Sequence, residues 1–216
     1  PILVDIDPET YNIDICDLKK RIKKSTKAII LPHLFGLPAD IDEVLSLGIP
    51  VIEDCAQSIG AVYKGKKAGS FGRLSCFSFY ATKVLSTGEG GMVVSDSKIL
   101  LKKIRDFRDY DNKKNYSVRY NYKMTDIQAA MGITQLKKLS SFLLKRANIA
   151  KRYSSELQKF CDVPSIRYND RKHIFFRFPI KIQGSIPKAL SFFSERGVTC
   201  ARPVFKPIHK YLQING

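Results

Sequence analysis

The chain has 216 residues, of which 44% are hydrophobic, so it can bury a sizeable core in one domain or in one domain and part of a second. Its formal net charge of +17 falls in short lysine clusters at positions typical of helix surfaces and turns, which favours a solvated basic surface over a nucleic-acid partner. Five cysteines without a CxxC pair indicate free thiols in a reducing cytoplasm, and no apolar run is long enough to predict a membrane span.

Apolar runs and helical patterns alternate along the first hundred residues. The pattern predicts strands over residues 2–5, 27–32, 50–52, 74–79 and 92–94, and helices over residues 16–24, 40–47 and 98–108. Asp14 or Asp17 can cap the first helix, and Gly48 ends the second. Continuous apolar strands separated by helices predict an α/β fold with a mostly parallel sheet covered on both faces. In such sheets, ligands bind at the carboxyl ends of the strands.

The second half of the chain is mainly helical. The pattern predicts helices over residues 125–139, 141–160 and 187–196, and a strand over residues 173–182. This tail is typical of the start of a smaller α+β domain. We predict a partial large domain over residues 1–140, then a linking helix and a partial small domain over residues 141–216. Because the chain opens on a strand pattern and ends just after a helix, we expect it to be cut from a larger fold at both ends.

Two polar residues, Asp54 and Lys83, each sit at the end of an apolar run that reads as a buried strand. A buried carboxylate is costly unless it is paired or hydrogen-bonded, and a buried lysine tends to lose its charge and become nucleophilic. Pyridoxal phosphate needs this pair, a lysine for the Schiff base and a carboxylate for the pyridine nitrogen. Ser78 could donate to the cofactor's phosphate, and Gln57 could reach its phenolic oxygen. The alternative is a buried Asp54–Lys83 salt bridge with a serine in a core strand.

Several sequence motifs resemble one family of enzymes. EDCAQ at residues 53–57, FSFYATK at 77–83 and TGEGGMVV at 87–94 resemble the DegT/DnrJ/EryC1/StrS family, as do residues 4–11, 33–40, 63–72 and 120–130. These proteins are pyridoxal-phosphate aminotransferases of nucleotide-linked keto sugars, which serve surface-polysaccharide synthesis. The resemblance covers nearly the whole chain. It implies the aspartate-aminotransferase-like fold type I, here incomplete, with the cofactor bound by the large domain.

The resemblance also implies a role for each matching residue. Lys83 would be the Schiff-base lysine and the base that shuttles the proton, and Asp54 would pair with the pyridine nitrogen. Gln57 would contact the phenolic oxygen, Ser78 the phosphate, and Asn121 the phosphate of the neighbouring subunit's cofactor. A homodimer, a nucleotide-linked keto sugar and an amino donor such as glutamate are the implied partners. Lysine rather than histidine at position 83 favours transamination over dehydration.

Family members are considerably longer, and their upstream segment supplies phosphate donors and the aromatic residue that stacks on the cofactor. We therefore expect exposed apolar surface, and weak or no pyridoxal-phosphate binding by the 216-residue chain alone. One hypothesis is an aminotransferase, assembled with a separately encoded N-terminal fragment or cut from a longer enzyme. The alternative is a catalytically inactive remnant with a binding or regulatory role. A nucleic-acid binder is a third interpretation, which rests on charge alone.

The remaining motifs have structural interpretations. The TGEGG segment at residues 87–91 lacks the spacing of a phosphate-binding loop and predicts a tight turn into the next strand. Gly65 and Gly69 among lysines indicate a hairpin or turn. His33 is a lone histidine after a strand, where a packed turn residue is the expected role. No group of residues has the spacing of metal ligands.

Overall fold

A computed structural model of the chain describes residues 1–204 and 206–212. In the described residues the strands are β1 (Ile29–Pro32), β2 (Val51–Asp54), β3 (Val62–Tyr63), β4 (Lys66–Lys67), β5 (Leu74–Ser78), β6 (Gly91–Val94) and β7 (Arg171–Lys172). The main sheet has the order β1-β2-β5-β6. Strands β1, β2 and β5 are parallel, and β6 runs antiparallel to β5. The predicted α/β fold with a mostly parallel sheet is confirmed.

Six α-helices are described, and a short 3-10 turn (Leu34–Gly36) follows β1. The helices are α1 (Ile15–Arg21), α2 (Ile41–Leu45), α3 (Lys98–Phe107), α4 (Asp126–Leu157), α5 (Ile186–Ser194) and α6 (Ile208–Leu212). Asp14 is the cap of α1, as predicted, and its side chain accepts the N–H of Asp17 at 3.0 Å. Gly197, with a φ of 74°, follows α5 in the left-handed conformation that favours glycine at a helix end.

The core lies in two clusters of buried apolar side chains. One joins β1 and β2 to the first two helices through Leu18, Leu31, Val44 and Val51. The other contains Cys55, Ala61, Val84 and Ile174, against which side chains of α4 pack. The first two helices cover one face of the parallel strands, where Leu31 and Val51 are buried. Ile30 of β1 lies on the other face and is exposed, so the predicted covering of both faces is not found at this strand in the described residues.

Helix α4 corrects one prediction. The sequence pattern predicts two helices that meet near residue 140, but one helix of 32 residues runs through this point. Serine at positions 140 and 141 is only weakly unfavourable inside a helix, and no proline separates the halves. The helix begins at a capping box, in which Thr125 and Gln128 each accept the other's backbone N–H. The proposed division at residue 140 falls inside this helix and stays a prediction, and residues 205 and 213–216 of its second part lie outside the described residues.

The predicted strand over residues 173–182 is also wrong. The only strand in this region of the described chain is β7, which ends at Lys172, just before the predicted strand, and pairs antiparallel with β3. Phe175 has a φ of 52°, which breaks any continuous strand, and the N–H of Ile174 donates to the carbonyl of Gly36 at 3.0 Å. The alternating apolar pattern here therefore reflects packing against the 3-10 turn, which satisfies the backbone in place of a neighbouring strand.

The amino-terminal segment does not form the predicted strand over residues 2–5 either. Its nearest pairing is an isolated bridge between Ile6 and Ile13. Together with β1 the segment lines a groove of about 800 Å³, and Ile30 of β1 is 65% exposed. The prediction of exposed apolar surface is confirmed beside β1, the outermost strand of the main sheet.

Two other expectations concern local structure and hydropathy. Strands β3 and β4 pair antiparallel around Gly65, so the predicted hairpin is confirmed.

Within residues 1–204 and 206–212, no helix combines the length and apolar composition that a membrane span requires.

Candidate active site

Asp54 is the last residue of β2, where it lies in register with Pro32 of β1 and Cys76 of β5. Its side chain is half-buried, and Oδ1 accepts the backbone N–H of Ala56 at 2.9 Å. Among the described residues Oδ2 has no hydrogen-bond partner. The turn after β2 therefore holds one carboxylate oxygen and leaves the other available at the carboxyl end of the sheet.

Gln57 follows Asp54 in the same turn. Its Oε1 accepts the backbone N–H of Phe35 at 2.9 Å, so the amide is fixed in orientation. Phe35 lies in the 3-10 turn with a φ of 55°, a left-handed conformation that costs energy for any residue with a Cβ. The Nε2 group of Gln57 has no partner in the described part of the chain, so it can donate to an external oxygen.

Ser78 ends β5, next to β2, and its hydroxyl accepts the N–H of Tyr80 at 3.4 Å. Backbone hydrogen bonds close the following turn, from Phe79 to the carbonyl of Gly90 and from Thr87 to the carbonyl of Phe79, each at 2.8 Å. The TGEGG segment is thus the predicted tight turn that leads into β6.

Lys83 does not end a strand, contrary to the prediction. It lies five residues beyond β5, in the turn before β6, where its N–H donates to the carbonyl of Tyr80 at 2.9 Å. The apolar run continues past the strand because Phe79 and Val84 are buried beneath the turn. The half-buried Lys83 places Nζ 5.3 Å from the ring centroid of Phe176, a cation–π contact.

Asp54 and Lys83 form no ion pair with each other or with any other described residue, so the salt-bridge alternative does not hold. The structure brings Asp54, Gln57, Ser78 and Lys83 to one edge of the sheet, since all four follow or end the parallel strands β2 and β5. Asn121 is not part of this group. It is exposed between α3 and α4 and makes no hydrogen bond with the other four residues.

Glu53, which the sequence analysis does not single out, is completely buried beside this edge. Its carboxylate accepts hydrogen bonds from one ring nitrogen, three backbone N–H groups and one hydroxyl, contributed by His33, Gly69, Phe71, Gly72 and Ser75. Burial alone would raise the pKa of Glu53, but these hydrogen bonds outweigh it and lower the pKa to about 2. The two-residue period of β2 places Glu53 on the buried face with Val51, so the sequence can indicate its burial but not its hydrogen-bond partners.

His33, Glu53 and Cys55 lie within 4.8 Å of one another, although their spacing in the sequence does not suggest a metal site. Hydrogen bonds already use both ring nitrogens of His33 and both carboxylate oxygens of Glu53. Nδ1 of His33 accepts the N–H of Ala39 at 3.1 Å, so Nε2 carries the proton that it donates to Glu53. Burial, followed by the negative charge of Glu53, raises the pKa of the Cys55 thiol to about 12. The cluster is a structural network, and His33 is the packed turn residue that the sequence predicts.

Comparison with known proteins decides the family. The model of the DegT/DnrJ/EryC1/StrS aminotransferase family matches residues 1–214. The chain belongs to this family. The family's aminotransferases depend on pyridoxal phosphate, and the conserved fold of its solved members is fold type I.

Two curated relatives are named for different sugar nucleotides. GDP-perosamine synthase of Caulobacter vibrioides is 35% identical over 97% of the chain and 60% of the relative. UDP-N-acetyl-3-dehydro-alpha-D-glucosamine 3-aminotransferase of Acidithiobacillus ferrooxidans is 34% identical over 84% of the chain and 52% of the relative. The chain thus spans just over half the length of these curated relatives.

A solved aminotransferase structure has the same fold. Helicobacter pylori PseC, an aminotransferase involved in the biosynthesis of pseudoaminic acid, superposes with a TM-score of 0.90 and 28% identity. The superposition covers 99% of the chain and 61% of PseC. Fold type I, expected from the sequence, is confirmed.

Proposed function

We propose that the protein is a pyridoxal-phosphate aminotransferase that converts a nucleotide-linked keto sugar into an amino sugar. The amino group comes from a donor such as glutamate, which leaves as 2-oxoglutarate. Both curated relatives described above are named for nucleotide sugars, one with GDP and one with UDP, which supports the substrate class. The product would serve the synthesis of a surface polysaccharide.

One observation carries the proposal. Three polar groups next to the carboxyl ends of β2 and β5 have no hydrogen-bond or ionic partner among the described residues: Oδ2 of Asp54, Nε2 of Gln57 and Nζ of Lys83. These half-buried groups stand next to the carboxyl ends of parallel strands, where such sheets bind their ligands, and they are available to a ligand because no described residue uses them. An acceptor, a neutral donor and an amine fit the pyridine nitrogen, the phenolic oxygen and the aldehyde of the cofactor.

The proposed roles follow from this fit. Asp54, whose other oxygen is held by Ala56, would accept a hydrogen bond from the protonated pyridine nitrogen. Gln57 would donate to the phenolic oxygen, and the Ser78 hydroxyl would donate to the phosphate. Asn121, exposed and outside this group, would contact the phosphate of a partner subunit's cofactor in a homodimer. When bound, pyridoxal phosphate supplies a conjugated ring that withdraws electrons from the carbon that gains or loses the amino group.

Lys83 would carry out two tasks. Its Nζ would hold the cofactor between reactions, and, when released, would remove a proton from the reacting carbon or return it. The contact with the Phe176 ring restricts the side chain to the side of the turn that faces the cleft next to α4. An amine that is already positioned loses less conformational entropy when it reaches the reactive geometry.

The cellular setting is part of the proposal. All five cysteines are free thiols, which supports a reducing compartment such as the cytoplasm, where sugar nucleotides are made. No observation favours the alternative of an inactive remnant.

The test is amino transfer by the full-length protein. The protein is incubated with pyridoxal phosphate, glutamate and a panel of GDP- and UDP-linked keto sugars, and the products are analysed by mass spectrometry. We expect one keto group to be replaced by an amino group, with an equal amount of 2-oxoglutarate, and no reaction when glutamate is omitted. A protein that binds the cofactor but aminates no member of the panel contradicts the proposed substrate class. A protein that never binds the cofactor contradicts the enzyme assignment.

A further inference from the structure

A cleft of about 550 Å³ opens next to Lys83. Its walls are the turn before β6, the middle of α4 and the irregular segment 175–178. Aromatic side chains line much of it, contributed by Phe142, Tyr153, Phe175, Phe176 and Phe178.

The charged residues of this cleft all have the same sign. Lys83, Lys145, Arg146 and Arg177 line it, and no carboxylate does. In the described part of the chain none of the four forms an ion pair. Like charges around a concave, partly apolar surface repel one another and produce a positive potential, which attracts a negatively charged ligand.

Arg146 has a structural task within this group. Its Nη1 donates to the carbonyls of Phe175 and Phe176, at 2.9 and 3.2 Å, and so ties the irregular segment to α4. Its charge remains in the cleft, but those donors are already used. The guanidinium of Arg177 and the amine of Lys145 have no hydrogen-bond partner among the described residues, and both side chains lie on exposed residues at the cleft's rim.

The backbone of Arg177 is fixed relative to the proposed cofactor site. Its N–H donates to the carbonyl of Phe35 at 3.4 Å, and the N–H of Phe35 donates to Gln57. Its guanidinium lies 5.8 Å from the centroid of the Phe176 ring, whose other cationic neighbour is Lys83 at 5.3 Å. The two cations are therefore no more than about 11 Å apart, with the Phe176 ring as their shared neighbour.

We propose that Arg177, assisted by Lys145, forms a subsite for the oxyanion of a ligand whose reacting carbon lies at Lys83. The inference rests on the proposed function and adds the group that recognises the negative charge. A guanidinium presents a planar pair of donors that matches a carboxylate or a phosphate. The oxyanion has two possible sources, the carboxylate of the amino donor and the diphosphate of the sugar nucleotide.

The experiment is isothermal titration of the full-length, cofactor-loaded protein with three kinds of probe. Glutamate tests the carboxylate, UDP and GDP test the diphosphate, and the neutral nucleosides uridine and guanosine are the uncharged references. Arg177→Gln removes the charge and keeps an uncharged polar side chain next to Phe176. Arg177→Lys keeps the charge without the planar pair of donors. Arg152→Gln is the matched control, since Arg152 is an exposed arginine on α4 that does not line the cleft.

We expect Arg177→Gln to weaken binding of glutamate, of the diphosphates, or of both by about 10- to 100-fold, as loss of a charge-assisted hydrogen bond predicts. Nucleoside binding should stay within about twofold, and Arg177→Lys should restore part of the loss. The probe that is weakened identifies the source of the oxyanion. The inference is overturned if both kinds of anion bind Arg177→Gln as tightly as they bind wild type, or if Arg152→Gln causes an equal loss.

Failure of this inference can be told apart from failure of the proposed function. The visible absorption of lysine-bound cofactor is recorded for every variant before titration. If wild-type protein lacks that absorption, the proposed function fails. If it is present and Arg177→Gln leaves anion binding unchanged, only the oxyanion subsite is wrong.

Discussion

Replacing Glu53 by glutamine removes the negative charge next to the candidate site while keeping the size of the side chain. The carboxylate now accepts hydrogen bonds with both oxygens: Oε1 from the N–H groups of Phe71 and Gly72, and Oε2 from Gly69 and His33. A glutamine has only one oxygen. Whichever way the amide is oriented, its NH₂ group faces at least two hydrogen-bond donors. These donors are buried, so they are left without an acceptor.

Two estimates of the cost agree. Each buried donor left without an acceptor costs about 1–3 kcal/mol, so two of them cost about 2–6 kcal/mol. The same hydrogen bonds lower the pKa of Glu53 from 4.5 to about 2, and this shift corresponds to about 3 kcal/mol of folding free energy at neutral pH. We therefore expect Glu53→Gln to lower the free energy of unfolding by about 3 kcal/mol or more, a large fraction of a typical domain's stability.

Equilibrium unfolding in urea, followed by circular dichroism at neutral pH, measures this change. Glu43→Gln is the matched control, because Glu43 pairs with Lys19 on the surface, where its side chain is 57% exposed. Surface ion pairs contribute little, so the control should stay within about 1 kcal/mol of wild type.

The pH dependence gives a second measurement. The folded-state pKa of Glu53 lies below the unfolded-state value, so its stabilisation is fully present above about pH 4.5 and is lost as pH falls towards 2. Wild type should lose this stability over that window, and Glu53→Gln should lack the corresponding slope. A variant within about 1 kcal/mol of wild type, or with an unchanged acid slope, would refute the reasoning.

Three further predictions concern the site and its supports. Gly36→Ala should destabilise the fold by more than about 1 kcal/mol in urea unfolding, because its φ is 94° and a Cβ would lie 2.5 Å from Cγ1 of Ile174; equal stability would contradict this. Lys83→Ala should abolish the borohydride-trappable adduct with pyridoxal phosphate in the full-length protein, and Lys66→Ala, on the exposed hairpin, should not; a persisting adduct excludes Lys83 as the attachment point. Asp54→Ala should weaken cofactor binding by about 1.5–3 kcal/mol in a fluorescence titration, and unchanged affinity would remove Asp54 from the proposed site.

The main elements of the fold can be predicted from the sequence because they depend on local pattern. The apolar runs that become β1, β2 and β5 are continuous, and α1 and α3 have clear caps at Asp14 and Ser97. Elements whose shape depends on distant contacts are harder to predict from the sequence. Residues 173–182 alternate like a strand, yet their backbone bonds to the 3-10 turn more than a hundred residues earlier. Local pattern cannot show which partner a segment will find.

The candidate site divides in the same way. Asp54 and Lys83 stand out in the sequence because a charged residue at the end of an apolar run needs an explanation. Glu53 shares that property, but all its hydrogen-bond partners lie 16 or more residues away along the chain, so its role becomes visible only in three dimensions. The oxyanion subsite around Arg177 likewise depends on how α4 and segment 175–178 meet.

Helix α4 connects two walls of the cleft, the turn before β6 and segment 175–178. Near its start it passes so close to the turn before β6 that a Cβ on Gly132 would lie 3.2 Å from Cγ2 of Thr87. Arg146, which holds segment 175–178, lies 14 residues further along the same helix, about 21 Å away. A tilt of about 3° pivoting at Gly132 would move Arg146 by about 1 Å, a displacement of the size at which misplaced groups impair catalysis in enzymes. The straightness of one helix thus sets the width of the cleft next to Lys83, and substitutions that bend α4 should change that width without altering any residue that lines the cleft.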